Sequence, residues 1–259
     1  MISPFISVVM PVYCGQKYLP AALQSLVNQR DFKQNFEVIV AVDDSLKETR
    51  DILLRFSSLL PLKIIEGTKS KNWVSTTNKA LRECSGEWIC FLHQDDLFSE
   101  YKFSFIERLA EEHTSASLII HPITYIDPEN KSLGRPFLPF PYKPVLSGAD
   151  IFSRLICQNI IMVPGVVFKR SLMKTVGFLD EKLRYTADWE YWLRCVRVSN
   201  VAYDINPLAS FRVHKESQTI QLAEKQTEYY ENLKIVVDKN IQYLEEYYGK
   251  RKSKRIERM

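Results

Sequence analysis

The sequence predicts an α/β fold in which a mostly parallel, twisted sheet is flanked by helices. Short apolar runs alternate with stretches of helical periodicity along the first half of the chain. Strands that are joined by helical crossovers pair in parallel, which predicts the direction of the sheet. With 259 residues, 46% of them hydrophobic, the chain can bury a full-sized core.

The first half contains four predicted strands with helices between them. Two prolines mark boundaries, because Pro11 closes the first strand and Pro61 ends the second helix. The predicted strands are Phe5–Met10, Phe36–Val42, Leu62–Ile65 and Trp88–Leu92, and the predicted helices are Tyr18–Val27, Glu48–Leu60 and Val74–Cys84.

The second half is less regular, because prolines interrupt residues 127–147. We interpret this segment as a lid or binding loop, since it can sustain neither a helix nor a central strand. The strands predicted around it are Leu118–Tyr125, Val163–Lys169, Val201–Asp204 and Leu208–Val213, and the helices are Ala149–Cys157, Ser171–Val176, Asp188–Val198 and Thr219–Tyr248.

The net charge of +4 is unevenly distributed. The residues Lys250–Met259 carry a charge of +5, which leaves the rest of the chain at about −1. Such a basic end suits a peripheral contact with an anionic membrane or is a solvated tail, and we expect no nucleic-acid partner. The helix before it has an apolar stripe that could pack on the body, form a homodimer or lie on lipid, and packing on the body is favoured.

Targeting signals and paired cysteines are not apparent. No apolar run approaches the ~18 residues that a spanning helix needs, and the N-terminus lacks the pattern of a signal peptide. We therefore expect a cytoplasmic location, with a peripheral position at the inner face of the membrane as an option. The five cysteines are scattered and odd in number, so we expect reduced residues in the core.

Two adjacent acids follow the fourth predicted strand, in the stretch Phe91–Asp96. Asp95 and Asp96 either form part of a metal and diphosphate site or begin the next helix, where carboxylates are favoured. Polar residues also follow the first strand, at Pro11–Tyr13, and the second, at Asp43–Ser45. Because ligands gather at the carboxyl ends of parallel strands, this convergence favours a binding site.

Seven segments in a specific order carry a family resemblance: Ile6–Tyr13, Phe36–Ser45, Asn78–Leu81, Gly86–Asp96, Gly177–Asp180, Asp188–Arg194 and Phe211–His214. With this order and spacing, the chain resembles the inverting family-2 glycosyltransferases of the GT-A fold. The resemblance implies a glycosyltransferase domain over residues 1–215, with a nucleotide-sugar half at 1–98 and an acceptor half at 99–215, followed by a helix and basic tail at 216–259.

The resemblance implies a donor site and a metal site. In this family, three residues would contact the nucleotide base and four more would contact the rest of the donor. Three residues would bind the metal, and one of them is also a donor contact. A divalent cation with oxygen ligands, Mn²⁺ or Mg²⁺, would neutralise the diphosphate leaving group. The base contacts are Pro11, Tyr13 and Asp44, the other donor contacts are Asn78, His93, Gln94 and Asp95, and the metal ligands are Asp95, Asp96 and His214.

The same resemblance implies that Asp188 is the general base, which takes the proton of the acceptor hydroxyl. Asp188 could instead, or in addition, cap the helix that follows it. The nearby residues Trp189 and Trp192 have helical spacing, which is more typical of core residues than of an acceptor site.

This sequence departs from the family at four places, which we interpret as signs of an altered donor preference. They are Leu46–Glu48 in place of a glycine-rich segment, Thr77 in place of a frequent Arg, Ala187 in place of the usual Glu before the base, and His93 in place of the first metal-site acid. The change at His93 lowers the charge of the metal site.

The function expected from the resemblance is inverting transfer of a sugar, from a UDP-linked donor in our interpretation, to a saccharide or lipid-linked saccharide in polysaccharide or lipopolysaccharide biosynthesis. The alternative is a non-catalytic module that binds the nucleotide sugar or a saccharide. A sugar nucleotidyltransferase is disfavoured, because Pro11–Gly15 is not the glycine-rich, basic loop that such an enzyme needs.

Overall fold

The computed structural model describes residues 3–43, 46–67, 72–136, 138–141, 143–217 and 226–248. A central sheet of eight strands draws on both halves of the chain. Its strands are β1 (Ile6–Val12), β2 (Phe36–Val42), β3 (Leu62–Ile65), β4 (Trp88–Phe91), β6 (Ala116–Ile120), β9 (Val145–Leu146), β10 (Val166–Lys169) and β11 (Asn200–Tyr203).

The strand order of the central sheet is β3-β2-β1-β4-β10-β6-β11-β9. Strands β3, β2, β1 and β4 pair in parallel, and β6 pairs in parallel with β11. Strand β10 is antiparallel to both β4 and β6, and β9 is antiparallel to β11. The predicted, mostly parallel sheet is therefore confirmed, with β9 and β10 as the reversed strands.

A second sheet of four strands lies beyond the carboxyl end of β4 and has the order β5-β12-β7-β8. Strand β12 is central in it and pairs with both β5 and β7. These strands are β5 (Leu97–Phe98), β7 (Ile123–Ile126), β8 (Ser132–Gly134) and β12 (Ala209–Arg212).

Helices cover both faces of the central sheet. Alternate residues of one strand enter different cores, because side chains point to opposite faces: Val9 joins the core of α3, α5 and α7, whereas Val8 joins the core of α1, α2 and α4. The helices are α1 (Leu19–Val27), α2 (Lys47–Phe56), α3 (Trp73–Arg82), α4 (Lys102–Glu112), α5 (Gly148–Leu155), α6 (Leu172–Val176), α7 (Ala187–Arg197) and α8 (Gln226–Tyr248).

Three predictions for the second half need correction. The single strand predicted over Leu118–Tyr125 is two strands in different sheets, because Pro122 lies between them and cannot donate to a ladder. The proline-rich loop contains the short strands β8 and β9, and a 3₁₀ turn, Val163–Gly165, replaces the start of the strand predicted from Val163. Helix α4 was not predicted.

Helix α8 packs on the body, as favoured from its apolar stripe. Val236 and Leu244 are buried in the core, and the ring of Tyr243 lies 4.5 Å from that of Phe152. Lys239 forms an ion pair with Asp180 beside α7. The predicted start of this helix before Gln226 and the basic tail from Gly249 lie outside the described residues.

None of the helices in the described part of the chain is long and apolar enough to cross a membrane. All five cysteines are free, and Cys84, Cys90 and Cys195 are buried as expected. The prediction of a core position is wrong for Cys157, which is exposed.

We expect Leu244→Ala to lower the free energy of unfolding by about 2–5 kcal/mol, because it removes a buried side chain and leaves a cavity. Urea unfolding followed by circular dichroism would measure the change. The matched control is Leu54→Ala, since Leu54 is 64% exposed and should cost little. An equal, small effect of both substitutions would show that α8 is not docked in solution.

Candidate active site

The two acids lie in a turn directly after β4, at the carboxyl edge of the parallel strands. Strand β4 ends at Phe91, the turn holds His93–Asp96, and β5 begins at Leu97. Helix α4 does not begin until Lys102, so the alternative in which the acids start the next helix is wrong. The turn between β4 and β5 thus places both carboxylates at the carboxyl edge of β4.

The three side chains His93, Asp95 and Asp96 each offer a ligand atom, and these atoms all lie within 4.8 Å of one another. His93 Nε2 and Asp96 Oδ2 are buried and have no hydrogen-bond partner in the described part of the chain. Two carboxylates and an imidazole form a donor set that suits a divalent cation such as Mn²⁺. The residues therefore fit the predicted metal, and the unpartnered buried atoms are the observation that favours it.

The protonation of this cluster also suits a cation. Burial lowers the pKa of His93, which favours the neutral imidazole that a metal needs. Burial raises the pKa of Asp95, but the hydrogen bond to His214 and the proximity of His93 bring it below its usual value. Burial and the charge of Asp95 hold the pKa of Asp96 well above its usual value. A cation would compensate the charge that makes Asp96 difficult to ionise.

His214 reaches this cluster from the far side, after strand β12. Its Nε2 lies 2.9 Å from Asp95 Oδ2, and the centroid of its ring lies 5.0 Å from that of Tyr18, with the two rings tilted by 46°. His214 can thus orient Asp95 or join it as a ligand, so its predicted place near the metal site is compatible with the geometry.

The turn after β1 is joined to the acid turn by a pair of reciprocal hydrogen bonds. The backbone N–H of Tyr13 donates to Gln94 Oε1 at 2.8 Å, and Gln94 Nε2 donates to the Tyr13 carbonyl at 2.9 Å. A Cβ on Gly15 would lie only 2.7 Å from Gln94 Oε1, which explains the glycine there. Gln94 therefore orients the turn that begins at Tyr13, directly after β1.

Tyr13 presents a large open surface, because its side chain is 55% exposed at the carboxyl edge. Pro11 lies beside it at the end of β1 and is partly buried. An exposed aromatic ring here is suited to stack on a nucleotide base. Asp44, the predicted carboxylate partner of the base, lies outside the described residues.

Asn78 is buried and bonded to the segment before α7. Its Oδ1 accepts from the backbone N–H of Leu179, and its Nδ2 donates to the Leu179 carbonyl and to Glu181 Oε1. These bonds engage both ends of the amide. Asn78 thus holds the segment before α7, and its contact with the donor stays a prediction.

Asp188 lies in the first turn of α7, which begins at Ala187. The residue at the N-cap position is Thr186, so the interpretation of Asp188 as the helix cap is wrong. Asp188 Oδ2 accepts a hydrogen bond of 3.0 Å from Asn159 Nδ2. Burial raises the pKa of Asp188 to about 6, although hydrogen bonds from the backbone of Trp189 and from the Asn159 side chain oppose this rise. A carboxylate of this pKa can act as a general base near neutral pH.

Asn159, the hydrogen-bond partner of Asp188, lies near the sheet edge at which Asp95 and Asp96 are found. Asn159 precedes the 3₁₀ turn Val163–Gly165, which contacts β4 and leads into β10. Because β10 is antiparallel to β4, with Val167 opposite Cys90, this turn lies at the carboxyl end of β4. The predicted base and the predicted metal ligands are thus held along the same edge.

Trp189 and Trp192 are core residues, as their helical spacing indicated. Trp192 is completely buried, and Trp189 is 4% exposed, with its indole N–H donating to the Leu155 carbonyl. Neither ring forms an open platform for a saccharide.

Lys102 is a buried lysine behind the acid turn that was not predicted from the sequence. Lys102 Nζ lies 2.8 Å from His121 Nε2, donates to the Pro164 carbonyl at 2.7 Å, and sits 4.2 Å above the Phe98 ring. Burial lowers the pKa of Lys102 to about 7. These contacts fix the 3₁₀ turn beside β4, and no motif in the sequence indicated them.

Arg212 was also missed as a functional residue, although it lies within the segment Phe211–His214 that carried the resemblance. Its side chain is 1% exposed and donates to the backbone of the acid turn. The signal was present in the sequence, but an arginine two residues before a predicted ligand was not given a role.

Comparison with known proteins identifies the family. The model of glycosyl transferase family 2 matches residues 7–164, which is more than half of the chain. Asp188, Arg212 and His214 lie beyond the matched region. An uncharacterised glycosyltransferase of Rickettsia typhi is 28% identical over 243 residues, covering 89% of this chain and 70% of that protein.

A characterised relative is the poly(ribitol-phosphate) β-N-acetylglucosaminyltransferase TarS of Staphylococcus aureus. It is 32% identical over 115 residues, which cover 44% of this chain and 20% of TarS. The crystal structure of TarS residues 1–349 with UDP-GlcNAc superposes with a TM-score of 0.72 at 21% identity, covering 90% of this chain and 65% of the solved one.

A mannosyltransferase from Pyrobaculum calidifontis, solved with GDP-Man and Mn²⁺, superposes with a TM-score of 0.64 at 14% identity. The match covers 93% of this chain and 65% of the solved chain, so this protein spans just under two thirds of that neighbour. At these identities the superpositions establish the fold, and the family model establishes the relationship. The chain belongs to glycosyl transferase family 2 and has the GT-A fold.

Proposed function

We propose that the protein is a metal-dependent inverting glycosyltransferase that moves a sugar from a UDP-linked donor to a saccharide or lipid-linked saccharide hydroxyl. The observation that carries this proposal is the arrangement of two groups along one sheet edge. One is the cluster of His93, Asp95 and Asp96 with its unpartnered buried atoms. The other is Asp188, a partly buried carboxylate with a raised pKa.

The donor would lie across the turns after β1 and β4. Tyr13 would stack on the base, while Asp95, Asp96 and His93, with His214, would hold a Mn²⁺ or Mg²⁺ ion. When bound, the ion neutralises the charge that develops on the departing diphosphate. UDP is the favoured nucleotide, because the relative TarS was solved with UDP-GlcNAc at a TM-score of 0.72.

Asp188 would accept the proton of the acceptor hydroxyl as its oxygen attacks the anomeric carbon. Attack from the face opposite the diphosphate inverts that carbon in one step. Asn159 keeps Oδ2 in place, because its amide donates to that oxygen at 3.0 Å. The raised pKa makes the carboxylate a stronger proton acceptor than an ordinary aspartate, while it remains mostly ionised near pH 7.

The acceptor would be a hydroxyl-rich polymer or a lipid-linked saccharide of the cell surface. The relative TarS acts, by its name, on poly(ribitol-phosphate), so a polyol-phosphate polymer belongs in the acceptor panel. The loop over residues 127–147 and the segment around Asn159 would contribute to acceptor choice, since both belong to the half of the chain that carries Asp188.

The test is a transfer assay with UDP-GlcNAc and other UDP-sugars over a panel of saccharide and polyol-phosphate acceptors, with release of UDP as the signal. We expect activity with Mn²⁺ or Mg²⁺, loss of activity with EDTA, and an inverted anomeric configuration in the product by NMR. Activity that persists in EDTA would contradict the metal. Binding of UDP in calorimetry without turnover on any acceptor would favour a non-catalytic binding module.

A further inference from the structure

We propose that Arg212 is a positioning residue that locks the acid turn to the β7–β8 hairpin, so that the metal site and the start of the proline-rich loop form one unit. The inference rests on the metal site proposed above. It concerns a side chain that lies behind the ligands and is not itself one of them.

Arg212 restrains both acids through separate groups. Its backbone N–H donates to Asp96 Oδ1 at 3.0 Å, and its side-chain Nε donates to the backbone carbonyl of Asp95 at 2.8 Å. The first bond leaves Asp96 Oδ2 free of partners in the described part of the chain. Arg212 thus fixes the direction in which the Asp96 carboxylate offers its remaining oxygen.

The end of the guanidinium group binds the hairpin between β7 and β8. Nη1 donates to the carbonyls of Asp127 and Pro128 at 2.8 and 3.2 Å, and Nη2 donates to Asn130 Oδ1 at 2.7 Å. The hairpin turn is itself ordered, because Asp127 Oδ1 accepts from two backbone N–H groups of the same turn. One side chain therefore connects two turns that are more than thirty residues apart in sequence.

The charge and burial of Arg212 suit this interpretation better than a role in stability alone. The guanidinium lies 4.7 Å above the Tyr18 ring, and the side chain is 1% exposed. Arginine stays ionised even when buried, and burying a cation is costly unless every donor has a partner. In the described part of the chain, the hydrogen bonds of this side chain go to carbonyl and amide oxygens, so its positive charge stays available to the acid turn.

Two substitutions separate the parts of this unit. Arg212→Lys keeps the charge but loses the planar fork that reaches several acceptors at once. Asn130→Gly removes only the bond to Nη2, and glycine tolerates the positive φ of 67° at this position. Arg194→Lys is the matched control, because Arg194 is equally well bonded, to Glu190 and to the Phe178 carbonyl, but does not touch the acid turn.

The measurement is the dissociation constant of Mn²⁺ by calorimetry, at a temperature where circular dichroism shows each variant to be folded. We expect Arg212→Lys to weaken Mn²⁺ binding by about 10–100-fold, the usual effect of losing a group that orients ligands. Asn130→Gly should weaken it in the same direction by a smaller factor and raise KM for the acceptor more than it lowers kcat. Arg194→Lys should lower the melting temperature without changing Mn²⁺ affinity.

Three outcomes would count against the proposals, and they are distinguishable. Wild-type affinity in Arg212→Lys would overturn the positioning role and leave the metal site intact. If Asn130→Gly kept the wild-type Mn²⁺ affinity and the wild-type KM for the acceptor, the connection to the hairpin would be overturned. This test remains valid if Arg212→Lys does not fold. A wild-type chain that binds no Mn²⁺ or Mg²⁺ would overturn the metal site itself.

Discussion

Replacing Asp188 by asparagine is expected to lower kcat by about 10²–10⁴-fold, the usual contribution of a general base. Asparagine preserves the shape of the side chain but cannot take the proton of the acceptor hydroxyl. Donor binding should be unaffected, because Asp188 lies in α7, whereas most of the proposed donor contacts lie at the ends of β1 and β4. Transfer rates and UDP affinity, measured on the same preparation, would separate the two effects.

The pH dependence gives an independent check of this assignment. Burial raises the pKa of Asp188 to about 6, so the base is protonated below that pH and kcat/KM should fall as the pH is lowered through it. The Asn159 amide stabilises the ionised form, so Asn159→Ala should raise the pKa further and move the acidic limb to higher pH. In Asp188→Asn the limb should disappear.

The matched control for Asp188 is Asp150→Asn. Asp150 also lies in the first turn of a helix, α5, but its side chain is exposed. It should keep both the rate and the pH profile of the wild type. If Asp188→Asn retained full activity, another group would have to serve as the base.

Replacing Asp95 by alanine should abolish tight binding of Mn²⁺. The loss should exceed the ~10–100-fold that is typical for a residue behind the ligands, because a ligand itself is removed. Asp95 is also the partner of His214, at 2.9 Å, so the substitution releases a second candidate ligand. Calorimetry with Mn²⁺, and transfer activity as a function of Mn²⁺ concentration, would measure the effect.

Asp51→Ala is the control for this substitution, since Asp51 is an exposed acid on α2. Mn²⁺ binding should be unchanged in it. A metal dependence that stays the same in Asp95→Ala would exclude the cluster after β4 as the metal site, even if the enzyme proved to need a metal elsewhere.

The first half of the fold could be predicted from the sequence because local patterns decide it. The strands Phe36–Val42 and Leu62–Ile65 were predicted with their observed bounds, and β1 and β4 were shifted by only a residue or two. Apolar runs between helical stretches leave few alternatives for such a segment. The second half depends on contacts between distant segments, so a continuous apolar stretch such as Leu118–Tyr125 gave no sign that its ends enter different sheets.

The candidate site was predictable where a residue type has a specific chemical use. Two adjacent acids after a buried strand indicated a metal site, and the structure brings them together with His93 and His214. The role of Asn78 could not be predicted in this way, because an amide side chain can bind a ligand or the protein backbone equally well. The buried position of Arg212 was unexpected, since arginine is rarely buried completely.

The reversed direction of β10 determines which part of the chain can reshape the acceptor side. After a strand that runs parallel to β4, the next residues of the chain lie at the carboxyl edge of the sheet. Strand β10 runs in the opposite direction, so the residues before it lie at that edge. The segment from Cys157 to Gly165 is thus tethered at its end by a strand in the middle of the sheet. Changes of length or sequence around Asn159 can therefore alter the surroundings of Asp188, the proposed base, while the ladder from Val166 to Lys169 keeps its register. If the proposed function holds, acceptor choice could change here without a loss of core stability.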